Sequence, residues 1–158
     1  NFKHVDLKND LYNLKTETKA KDFVFPYNNE EFDFVFLTSV FTHMLPEDVE
    51  GYLSQIYRVL KNGSICFCTF FILNEESKKL MNASDGIRFN LNFGNYYLHD
   101  INVKEANVAF DEDYLKTLFT TGGFTVNRIS YGYWSGRNKN ASVDFQDIVV
   151  LKKVLPAK

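Results

Sequence analysis

Phe32-Asp33-Phe34-Val35-Phe36-Leu37-Thr38-Ser39-Val40-Phe41-Thr42-His43 is the stretch from which the rest of the chain can be read. It opens as an apolar run that holds one carboxylate and no Gly or Pro. Such a run reads as a buried strand of a parallel sheet. It ends in a small polar cluster, Thr38, Ser39, Thr42 and His43, at the carboxyl end of that strand, which is where open α/β sheets take ligands. Pro46 then falls at the first turn of a helix, with Glu47 and Asp48 beside it favouring the positive helix end. Val49, Tyr52, Leu53, Ile56, Tyr57 and Leu60 recur at spacings of three and four, which makes one apolar helix face. Lys61-Asn62-Gly63 is expected to stop the helix, and Ser64 to Leu73 to supply a second buried strand. Strand, crossover helix and strand form a right-handed βαβ unit.

The rest of the chain extends this unit. Phe2-Lys3-His4-Val5-Asp6-Leu7 alternates apolar and polar residues and reads as a short strand ending at Asp6, which can cap the following turn. The Lys-rich residues 9–22 read as a solvated loop or frayed helix. Phe23-Val24-Phe25-Pro26-Tyr27 returns to the sheet, and Asn28 to Glu31 turn into the central strand. After Leu73 the periodicity lapses through residues 74–110, a stretch rich in rings (Phe89, Phe93, Tyr96, Tyr97). A segment of that length is expected to cover a site, so it reads as a lid or substrate-binding insertion, its rings serving equally well as packing anchors. Asp111-Glu112-Asp113 opens a helix that Gly122-Gly123 closes. Thr125 to Tyr133 and Phe145 to Lys153 read as two strands, and the loop between them implies an antiparallel pair.

Phe-Asp-x-Val, then Val-Phe-x-His, then a helix ending Arg58-Val59-Leu60-Lys61-Asn62-Gly63, resembles the class I S-adenosylmethionine-dependent methyltransferases that act on small molecules. Asn62 and Ser64 stand where that family usually has Pro and a second Gly, and Thr121-Gly122-Gly123-Phe124 is similar to its entry into strand six. The resemblance runs from about Phe2 to Val154, the carboxyl-terminal two-thirds of such a domain. It lacks the Gly-rich G-x-G-x-G turn, since no Gly occurs among the first 50 residues. The fold class it implies is α/β: an incomplete Rossmann-like methyltransferase sheet holding strands three to seven, flanked by helices. The family order is three, two, one, four, five, seven, six, with strand seven antiparallel. Missing neighbours would leave open apolar edges. The expectation is therefore a homodimer through the exposed sheet edge, or a first strand that takes a new place.

The 158 residues, 45% hydrophobic and 16% aromatic, suffice for one core and predict a single partial domain over residues 1–158. A net charge of −2, from 18 basic and 20 acidic side chains, gives no electrostatic footprint for nucleic acid. The longest apolar run, about ten residues, is too short to cross a bilayer. The chain begins Asn-Phe-Lys-His, without initiator Met or signal-peptide pattern, and reads as a fragment or processed chain of a cytoplasmic protein. Cys66 and Cys68 lie two apart on one strand, share a face, and read as buried free thiols rather than a disulfide.

The resemblance implies S-adenosylmethionine as cofactor of the intact protein and a small-molecule methyl acceptor as partner. It places Asp6 and Leu7 near the adenine, and Thr38, Ser39 and Val40 against the methionine part, largely through backbone groups. His43, just past the polar end of the central strand, is the candidate general base; the bland reading is a histidine that packs on the next helix. Trp134 and Arg137 are candidates to close over substrate, or to anchor the surface. His4, His43 and His99 show no ligand spacing, so no metal is expected. The isolated chain is expected to bind cofactor poorly and to be inactive alone. Two other readings stay open: a degenerate methyltransferase-like interaction module, and a different nucleotide-binding enzyme such as a reductase.

Overall fold

The computed structural model describes residues 3–9, 11–12 and 15–155. Two four-stranded sheets share one chain. The main sheet contains β1 (Phe32–Leu37), β2 (Leu60–Phe70), β7 (Phe124–Ser130) and β8 (Asp147–Lys153), in the order β1-β2-β8-β7. β1 and β2 run parallel, and β8 is antiparallel to both β2 and β7. That is the order four, five, seven, six expected above, with the expected reversed strand. α1 (Pro46–Val59) makes the crossover, with Pro46 in its first turn.

α1 ends before Lys61-Asn62-Gly63, because Leu60 turns extended and is fully buried. The expected helix stop is instead the shifted opening of β2. Phe32 pairs with Leu60 and Phe34 with Ile65, so Lys61 to Ser64 bulge outward, turning at Gly63 with φ +77°. Arg58 ties the helix end to the approach strand: its guanidinium donates to the carbonyls of Phe25 and Tyr27, each at 2.8 Å. The buried free thiols are present as expected, and burial pushes the Cys68 thiol up.

Three expectations are corrected. First, residues 3–8 form no strand, and Asn9 makes a lone bridge; Phe2 and Asp10 lie outside the described residues. The segment runs instead over the carboxyl end of β1, and Lys8 N–H donates to the Thr18 carbonyl at 2.8 Å. Second, β1 is not buried. It pairs with β2 alone among the described residues, and Phe34 and Phe36 are 54% and 66% exposed. Third, residues 74–110 are structured. α2 (Glu75–Ala83) is capped by Asn74, whose side chain accepts from Ser77 N–H at 2.9 Å. β4 (Leu91–Asn92) and β5 (Tyr96–Leu98) then join β3 (Ile72–Leu73) and β6 (Val108–Asp111) in a second sheet of order β3-β6-β5-β4. α3 (Glu112–Thr121) follows, with the Asp111 carboxylate accepting from Asp113 and Tyr114 N–H.

Two buried clusters result. The larger joins Leu53 and Ile56 of α1, Leu115 and Phe119 of α3, and Cys66, Cys68, Val149 and Leu151 of the sheet. The smaller gathers Phe71, Leu73, Met81, Phe89, Ala109 and Trp134 under the second sheet. No helix of the described residues is long and apolar enough to cross a membrane.

Candidate functional site

β1 ends at a turn that no regular element continues. Ser39 follows with φ +54°, and the chain then tightens into a 3-10 turn over Phe41–His43 before α1 begins. The amino-terminal segment is laid across this turn. Asn9 stitches the two together: its Nδ2 donates to the His43 carbonyl at 3.0 Å, and its Oδ1 accepts from Leu11 and Tyr12 N–H. Between them lies a hollow of about 520 Å³. One wall is His4 to Leu7 with Asn9 and Tyr12; the other is Ser39, Val40, His43 and Met44, with Tyr52 of α1 behind. Five of the residues singled out in the sequence, Asp6, Leu7, Ser39, Val40 and His43, therefore meet in one place.

The insertion sets the state of His43. Its Nδ1 lies 3.1 Å from the Glu105 carbonyl, which can only accept, so Nδ1 carries the proton. In the neutral ring the lone pair then sits on Nε2. Tyr12 meets the imidazole edge-on at 5.6 Å. Tyr52 stays a neutral phenol, because burial and the nearby Asp48 push it up to about 12. Asp48 is itself raised by burial, and it accepts from Lys21 N–H at 2.9 Å.

Thr38 is exposed and lies outside this lining. Trp134 and Arg137 also lie outside this lining. Trp134 is 2% exposed, packed against Phe71 and Phe89, and donates Nε1–H to Asp147 at 2.7 Å. Arg137 stacks over Tyr131, donates to Glu76 and Ser135, and borders a separate depression. Both side chains are spent on holding the β7–β8 loop. Sequence reasoning missed Asn9, Tyr12 and Tyr52, as well as Thr69 of β2 and Gln146 just before β8, which bond Ser39. Asn9 was visible as a turn former; the strand partners carried no local signal.

Comparison with known proteins agrees with this architecture. Residues 5–68 match a family described as "Methyltransferase domain". A SAM-dependent methyltransferase of Methanosarcina mazei is similar in fold, with TM-score 0.54 and 17% identity over 87% of this chain and 66% of its own. So is 1,6-didemethyltoxoflavin-N1-methyltransferase of Burkholderia thailandensis, solved with 1,6-didemethyltoxoflavin and S-adenosylhomocysteine: TM-score 0.54, 14% identity, 89% of this chain and 50% of that one. Human N-acetylserotonin methyltransferase in complex with SAM gives TM-score 0.53 and 14% identity, over 89% of this chain and 33% of its own. In sequence, the chain is also 28% identical over 129 residues to chloroplastic phosphoribulokinase of Arabidopsis thaliana, covering 70% of this chain and 32% of that protein. The chain thus spans about a third of that curated relative and a third to two thirds of these solved structures. The fold is similar to that of Rossmann-like S-adenosylmethionine-dependent methyltransferases of known structure.

Proposed function

We propose that the intact protein transfers a methyl group from S-adenosylmethionine to a small-molecule acceptor, and that this chain supplies the carboxyl-terminal part of its catalytic domain. The observation that carries this reading is the hollow at the carboxyl end of β1, on a sheet with the strand order and directions of that fold. Its chemistry suits the cofactor. Among the described residues the lining holds one carboxylate, Asp6, and no Lys or Arg, so a ligand bearing a sulfonium and an ammonium meets no fixed positive charge from them. A volume of about 520 Å³ falls within the range of small-molecule sites.

Asp6 and Leu7 would hold the cofactor from one wall, Ser39 and Val40 from the other, with Thr38 contributing only the backbone that leads into Ser39. When bound, the cofactor supplies a methyl group on a sulfonium, a leaving group that needs no further activation, so the protein's task is alignment. His43 takes the acceptor's proton at Nε2 while the Glu105 carbonyl keeps Nδ1–H in place. Residues 74–110, which provide that carbonyl, act as the lid. A cytoplasmic setting belongs to the same proposal.

Two measurements test it. In the intact protein, His43→Ala should lower kcat by about 10²–10⁴-fold; unchanged turnover would remove His43 from the reaction. The Gly-rich turn and the ribose-binding carboxylate of the resembled family do not occur in this sequence. The chain by itself should therefore bind S-adenosylhomocysteine more weakly than micromolar in calorimetry, and a micromolar constant would overturn that claim.

A second reading, a methyltransferase-like interaction module, is favoured by the exposed Phe34 and Phe36 on a strand edge that is unpaired among the described residues. The same edge supports a homodimer. Sedimentation at increasing concentration checks it: a monomer throughout would exclude the dimer.

A further inference from the structure

The turn that ends β1 is held from two other strands. Ser39 stands in the left-handed region although it is not a glycine, a conformation that other L-residues avoid. Its N–H donates to Thr69 Oγ1 at 2.8 Å. Thr69, on β2 and only 3% exposed, donates its own O–H to Gln146 Oε1 at 2.7 Å. Ser39 Oγ donates to the same amide oxygen at 3.1 Å. Gln146 directly precedes β8 and Ser39 follows β1, so β2 and the segments flanking β1 and β8 meet in a closed triangle at the common end of the three strands.

We propose that Thr69 and Gln146 are positioning residues for the candidate site: they hold Ser39 in its left-handed turn and so fix where Val40 and His43 stand. The chemistry at each corner is specific. The residue at 69 must accept an N–H and donate an O–H at once, which Ser can do and Val cannot. The residue at 146 must offer one oxygen to two hydroxyls, which Glu can do and Leu cannot. Released from these bonds, Ser39 gains by relaxing to the extended region, and that rotation displaces the peptide leading into Val40 and the Phe41–His43 turn. The identity of the ligand rests on the function proposed above; the positioning of the turn does not.

The test uses the isotopically labelled chain and two readouts. Exchange of the Ser39 amide reports the turn, and shifts of the Val40 and His43 amides during titration with millimolar S-adenosylhomocysteine report the site. Thr69→Val should speed Ser39 exchange by about tenfold, the size of one lost hydrogen bond, and weaken the titration by a similar factor. Thr69→Ser should restore both. Gln146→Leu should act in the same direction and Gln146→Glu should not, and this pair decides the matter if Thr69→Val fails to fold. Unchanged Ser39 exchange in folded Thr69→Val or Gln146→Leu overturns the proposal. If the unsubstituted chain gives no response to S-adenosylhomocysteine, as the weak binding proposed for the chain by itself allows, Ser39 exchange alone decides the positioning claim, and the functional reading is tested by turnover of the intact protein.

Discussion

The two faces of the main sheet are made of the same strands and much the same residues, yet they lie in different surroundings. On one face the register aligns Val35 and Leu37 of β1 with Cys66 and Cys68 of β2, and these with Leu151 and Val149 of β8. All six belong to the larger cluster or pack against it, beneath α1 and α3. On the other face, one residue along each strand, stand Phe34, Phe36, Ile65, Phe67 and Val150, none of which joins either buried cluster. Phe34 and Phe36 stack on each other at 6.2 Å and face solvent. Apolar side chains are thus not enough to make a core; a covering element is. A patch of this kind on a sheet edge is what interfaces and self-association use.

Substitutions should separate the faces by several kcal/mol. Phe70→Ala carries the largest expected loss. Phe70 is fully buried on the covered face, and its ring meets Phe41, Phe110 and Phe119. Removal leaves a cavity among rings that cannot collapse, costing roughly 3–5 kcal/mol in urea unfolding. A loss below about 1 kcal/mol would mean that this face is not the core described.

Next comes the carboxylate on the same face. Asp147 lies in register with Phe70, fully buried, accepting from Ile72 N–H at 2.6 Å and from Gly132 N–H and Trp134 Nε1–H at 2.7 Å. Burial outweighs these donors and lifts its pKa from 3.8 to about 6. Because the folded value exceeds the unfolded one, the stability from this group is full below about pH 4 and is lost as pH rises through about 6. The difference is worth about 3 kcal/mol. The molecule has one Trp, so its indole N–H resonance is a direct reporter and should titrate near pH 6. A resonance flat between pH 4 and 7 would show a carboxylate ionised throughout.

Gly132 sharpens the comparison at the rim of that face. A Cβ there would collide with the Phe145 carbonyl and with the backbone of Gln146. Gly132→Ala should cost about 1–3 kcal/mol, because backbone and not a flexible tip must move. It should also weaken the Gly132–Asp147 bond, which the same indole resonance would register.

How much of this was legible in the sequence follows the range of the signal. The strand–helix–strand unit could be read because period and capping are local: Pro46, the Val49–Leu53–Ile56 face and the Asp111 cap all appear as expected. The exposure of Phe34 could not, since an apolar run reads alike whether or not something covers it. α2 was missed because its nine residues bury little beyond Ser77 and Met81, and β4 and β5 because strands of two or three residues have no period, while Ile72–Leu73 was read as the end of one strand rather than as β3 of a second sheet. At the site, Ser39 and His43 were named from their place at a strand end, and Asp6 and Val40 from the family resemblance. Gln146 lies 107 residues from Ser39, and only the pairing of β2 with β8 brings them together. The burial of Trp134 was not legible either, because a lone Trp in a polar loop gives no local sign that its ring packs into the second cluster.

The smallest expected effect is on the open face, and it tests the comparison from the other side. Phe36 is 66% exposed and its partner in the register, Phe67, is half-buried. Phe36→Ser removes a ring that water already surrounds, so unfolding free energy should change by no more than about 0.5 kcal/mol. Self-association is where the change should appear. Losing the Phe34–Phe36 stack should lower the concentration-dependent increase in sedimentation, and adding Phe34→Lys should abolish it by placing charge on the edge. If Phe36→Ser instead costs as much as a core truncation, then something covers that face in solution, and the two faces are one kind of surface after all.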